Sequence, residues 1–69
     1  MTNMEMYLNL IDQMLLGMIS EYDKDLITLR RKVNQEGLDG HAEYQGDRSR
    51  WVDLTPEQIQ QARDNFVEE

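Results

Sequence analysis

Apolar residues at Met4, Leu8, Ile11, Leu15, Met18 and Tyr22 alternate four-step and three-step spacing through the first third of the chain. That is the heptad rhythm of a helix packed along another helix. After Tyr22 the rhythm takes one extra four-step to Leu26 and resumes through Leu29 and Val33. Such a phase slip unwinds a supercoil locally while keeping the seam on its face. The pattern predicts a single amphipathic helix over about residues 2–35, on the order of 50 Å long at ~1.5 Å per residue. Tyr7, Leu10 and Met14 widen the apolar arc to about half the circumference, with Met6 and Leu16 outside it.

Only about 34 of the 69 residues are left to cover such a helix. A chain this short buries little core alone, and it has no cysteine to staple it. The expectation is an all-α fold: a long N-terminal helix and a short C-terminal helix in a hairpin. Two copies pair through the long helix, by way of Met4, Leu8, Ile11, Leu15, Met18, Tyr22, Leu26, Leu29 and Val33.

Local signals mark the ends. Thr2 and Glu5 have the form of a capping box, and Gly37 suits the position just past a helix end. Gly17 costs roughly 1 kcal/mol inside a helix, and close approach by a neighbouring helix accounts for it better than a hinge. Arg30, Arg31 and Lys32 read as cations offsetting the helix C-terminus, or as a basic patch for a partner. Downstream, Thr55 as N-cap, Pro56 at the first helical position and Gln58 three residues after the cap start a helix over about 56–67. Leu54 and Ile59 supply the hydrophobic staple, and Ile59, Ala62 and Phe66, with Val67 beside them, its buried stripe.

Between these elements, residues 37–54 lose all periodicity. A loop of this length in a small domain usually binds something. It carries the sole Trp and His of the chain, and Asp39, His41, Glu43, Tyr44, Asp47, Arg48, Arg50 and Trp51 have the composition of a recognition surface. Trp51 could equally anchor the connection to the long helix. Asp39, His41 and Glu43 alternate, but without Cys or a second His they make a poor metal site. No calcium loop fits, because the sixth position counted from Asp39 is Tyr44 rather than Gly. Neither a nucleophile–histidine pair nor a glycine-rich phosphate cradle is legible, so an enzyme, a cofactor and a metal are not expected.

Fourteen acidic against seven basic residues give a net charge of −7. Direct nucleic-acid binding and an anionic membrane surface are disfavoured, because both need a basic face. A basic protein surface is the natural partner. The opening residues lack the basic start and unbroken apolar core of a secretory signal, so a cytoplasmic protein is expected.

The run Met6-Tyr7-Leu8-Asn9-Leu10-Ile11-Asp12-Gln13-Met14-Leu15 and the run Trp51-Val52-Asp53-Leu54-Thr55-Pro56-Glu57-Gln58 resemble the phage-encoded anti-quorum-sensing proteins of Mu-like Pseudomonas phages. The resemblance implies a small helical dimer made early in infection in the host bacterial cytoplasm. It implies binding to the helix-turn-helix domain of a LuxR-type activator, which is kept off DNA, and inhibition of the ATPase that assembles type IV pili. A dimeric coiled-coil adaptor without inhibitory activity is the rival reading.

Overall fold

Gly17 decides the architecture. In a computed structural model, which describes residues 1–37 and 42–68 and side chains through Asp64, Gly17 has φ +76° and ends the first helix. The Gly17 N–H donates to the Met14 carbonyl at 3.0 Å and the Met18 N–H to the Gln13 carbonyl at 2.8 Å. This pair of bonds is the Schellman termination, which needs a residue on the left-handed side of φ. The expected helix over residues 2–35 is therefore two: α1 (Asn3–Leu15) and α2 (Lys24–Glu36). No neighbouring helix approaches Gly17, since a Cβ there would meet nothing within 4 Å. The seam that looked continuous through a phase slip is a chain reversal. Gly17→Ala should thus report backbone strain alone, about 1 kcal/mol. A thermal midpoint about 4–8 °C lower is expected, and an unchanged one would mean that α1 does not end at Gly17.

Asp23 starts the second helix. Its carboxylate accepts from the Asp25 and Leu26 N–H groups at 3.0 and 3.3 Å, a helix cap hidden in an acidic stretch. Gly37 ends α2 with φ +83°, and its N–H reaches the Val33 carbonyl at 2.7 Å. The capping box of α1 forms as expected, with Glu5 N–H on Thr2 Oγ1 and Thr2 N–H on Glu5 Oε1. Thr55 and Gln58 close the same box on α3 (Pro56–Glu68). A 3-10 turn, Arg48–Arg50, is the other helical piece among the described residues, which contain no strand.

The molecule is a small helical globule built around α1. Among the described residues, both α2 and α3 pack on α1 rather than on each other. Met6, Tyr7, Leu8, Leu10 and Ile11 are buried nearly all round the helix. The wide apolar arc thus reflects a helix covered on two sides by its own chain. Met6, outside the expected arc, is fully buried, whereas Leu16 is exposed. Of the residues assigned to a dimer seam, Met4, Leu8, Ile11, Leu26, Leu29 and Val33 instead form the intrachain core. A heptad places residues on one face of a helix without saying which chain covers it. On α3, Ala62 is buried and Ile59 partly exposed, while the side chains of Phe66 and Val67 lie outside those described. No described helix is long and apolar enough to cross a membrane.

Candidate functional site

The connection from residue 42 to residue 54 has almost no backbone partners of its own, so α1 supplies them. Asn9, fully buried, donates through Nδ2 to the Val52 carbonyl and accepts the Val52 N–H on Oδ1 at 3.1 Å. One carboxamide thereby replaces the neighbouring strand that Val52 lacks. One turn on, Gln13 Nε2 donates to Asn9 Oδ1 and to the Arg50 carbonyl, both at 2.8 Å. The i, i+4 spacing puts the two amides side by side. At its other end the connection meets the start of the chain. The Asn3 N–H donates to the Ala42 carbonyl at 2.8 Å, and the Tyr44 N–H to the Met1 carbonyl at 2.9 Å, around an isolated antiparallel bridge of Thr2 with Glu43.

A cationic clamp completes the attachment. Arg50 donates to both carboxylate oxygens of Asp23, at 2.9 and 2.8 Å, and to Asp25 at 2.6 Å. The Arg50 hydrogen bonds hold the Asp23 carboxyl below the usual carboxylate range, aided by the Leu26 N–H and opposed by partial burial. Reciprocally, the two carboxylates push the Arg50 guanidinium still higher.

Each residue expected to recognise a partner can now be placed. Tyr44 is buried in the core, 4% exposed, and does not project as an anchor. Its ring lies so close over Gly46 that a Cβ there would collide with it, and burial pushes its hydroxyl pKa up. Arg50 is spent on the clamp inside the molecule. Trp51 is half-buried and packs against the core, yet it also lines an apolar crevice of about 190 Å³ with Met4, Leu8, Leu54 and Ile59. The anchoring role weighed for Trp51 is therefore realised, and part of the ring stays accessible. Glu43 and Arg48 are exposed and paired with each other at 3.3 Å, and Glu43 also meets the N-terminal ammonium at 2.8 Å. Asp47 caps the 3-10 turn by accepting the Ser49 N–H at 2.9 Å. Bonding to Ser49, through its side chain and backbone, lowers the Asp47 pKa. Asp39 and His41 lie outside the described residues.

The resulting surface has two characters. Along the connection and the start of α3, Glu43, Asp47, Asp53 and Glu57 are exposed carboxylates. Elsewhere, where α1 reverses into α2, a cleft of about 430 Å³ opens over Tyr7, Ile11 and Leu26, with Leu15, Tyr22 and Ile27 on its rim. Leu15 is 45% and Tyr22 76% exposed, and Leu16 and Met18 project from the adjoining turn. Of the expected dimer seam, Leu15, Met18 and Tyr22 are thus the residues left on the surface. The cleft was not legible in the sequence because Ile27 sits off the heptad, and because Ile11, Leu15, Tyr22 and Leu26 read as one seam on a single helix. No family model, curated protein or solved structure matches the chain.

Proposed function

We propose that this is a non-enzymatic inhibitor that covers the DNA-binding surface of a transcriptional activator of LuxR type. The observation that carries the reading is the set of exposed carboxylates, Asp47, Asp53 and Glu57, with Glu43 paired to Arg48 and the N-terminal ammonium, on a segment fastened to α1. A helix-turn-helix domain presents Arg and Lys to phosphates, and exposed carboxylates on a fastened segment offer those cations an alternative. The accessible edge of Trp51 and its crevice supply an apolar anchor for the same contact. The ATPase that assembles type IV pili belongs to the proposal as a second target, and the host cytoplasm as its compartment; both rest on the sequence resemblance alone. Pairing of two copies also belongs to the proposal; it rests on the resemblance and on the seam residues Leu15, Met18 and Tyr22 that stay accessible.

The deciding assay titrates the protein into a preformed activator–promoter complex and follows release of the DNA. Complete release is expected, and charge reversal at Asp47 and Asp53 should weaken it about tenfold, ~1.4 kcal/mol. If DNA binding survives a large excess of the protein, the occlusion reading is wrong. The adaptor reading then takes its place, favoured by the exposed Leu15, Leu16, Met18 and Tyr22.

A further inference from the structure

The exposed carboxylates leave unexplained a face of opposite character. On α2 the carboxylates are engaged within the chain: Asp23 and Asp25 by Arg50, and Glu36 by the Asn3 amide at 3.2 Å. Three of its cations are not. Lys24, Arg31 and Lys32 are exposed and make no ion pair among the described residues. Lys24, Ile27 and Arg31 follow one another at three- and four-residue spacing and so share one face of the helix. That face borders the cleft, whose wall also includes Arg30 and, as its one carboxylate among the described residues, Glu21.

We propose that this cleft is a docking groove for an acidic amphipathic helix of another protein, distinct from the exposed carboxylates. The groove has a volume of about 430 Å³. Its floor of Tyr7, Ile11 and Leu26 accepts apolar side chains projecting from one face of a helix, and exposed Tyr22 and Ile27 extend the contact. Lys24 and Arg31 then meet carboxylates flanking those anchors. A nucleic-acid backbone has no use for an apolar floor. A bilayer takes up a protruding apolar face rather than a concave one. A second copy seated here in a two-fold contact would bring the same face, with its own Lys24 and Arg31, into the interface. It is the weaker competitor for the rim residues Leu15 and Tyr22.

The test is selection of a displayed library of amphipathic helical peptides, acidic, neutral and basic in their polar positions, on the immobilised full chain. The chain's overall charge predicts that basic members win. The groove predicts that acidic members are enriched about tenfold, that Ile27→Glu abolishes this enrichment, and that the Lys24→Glu, Arg31→Glu double variant turns it toward basic members. The surface double variant keeps the test valid if Ile27→Glu disturbs folding. Acidic enrichment that ignores both variants, an absence of acidic enrichment, or a dimer in sedimentation that acidic members fail to displace would each overturn the proposal. Basic members lost on charge reversal at Asp47 and Asp53 report instead on the exposed carboxylates, so the two readings fail separately.

Discussion

Replacing Asn9 with leucine should cost the fold about 3 kcal/mol, although leucine is the better helix former. The two side chains branch alike and the position is fully buried, so no cavity is opened. What is lost is the double hydrogen bond to Val52 and the acceptor that Gln13 uses. The Val52 N–H and carbonyl are then held near the helix with no partner, at ~1–3 kcal/mol for each buried group left unsatisfied. A small domain without disulfides has only about 3–5 kcal/mol of stability in hand, so Asn9→Leu should be largely unfolded at physiological temperature. Urea denaturation followed by far-ultraviolet circular dichroism measures this directly. A midpoint equal to that of the wild type would show that Asn9 does not hold the connection.

The second large effect is expected at Arg50. Arg50→Met keeps much of the aliphatic stem and removes the three charge-assisted bonds to Asp23 and Asp25. We expect a loss of about 2 kcal/mol, less than for a fully buried pair because the Asp25 side chain is 43% exposed and its share is screened. The effect has a signature in pH. Asp23 is held below its ordinary value when folded, chiefly by Arg50, so its contribution is present above the unfolded value, ~3.9, and is lost as pH falls through the depressed folded value. Wild type should therefore lose this part of its stability below about pH 4. Arg50→Met should lack it at neutral pH and lose correspondingly less on acidification. Thermal midpoints at pH 7 and pH 3 for the two proteins decide the matter: an equal drop in both would remove Arg50 as the cause.

These two residues also mark where sequence reading stops. Thr2 with Glu5, Thr55 with Gln58, and Gly37 were legible because each cap is settled within three or four residues of chain. The heptad was legible as a face but not as a destination, since α2 folded back covers the same positions on α1 that a second chain would. Gly17 offered the clue, but glycine is tolerated inside helices, and only the positive φ shows that the helix ends. Asn9 and Gln13 stand in an apolar run with nothing nearby to announce their role, because their partners lie in a segment without periodicity. Tyr44 and Arg50 have the composition of an interface, and the interface they serve is internal. Composition reports what a side chain can bond to, whereas the fold determines whether the partner lies within the chain.

The clasp between Asn9 and Val52 joins residues 43 apart in sequence. Bringing them together costs loop-closure entropy that the neighbouring turn of α1 into α2 largely avoids. Contacts of this range are made late when a chain folds, after nearby helices have already met. Weakening the clasp should then act on how fast the native state opens, leaving the rate at which it forms nearly unchanged. The lifetime of the carboxylates on residues 43–57 in their native setting would thus be set in part by the Asn9 amide, together with the Arg50 clamp and Gln13.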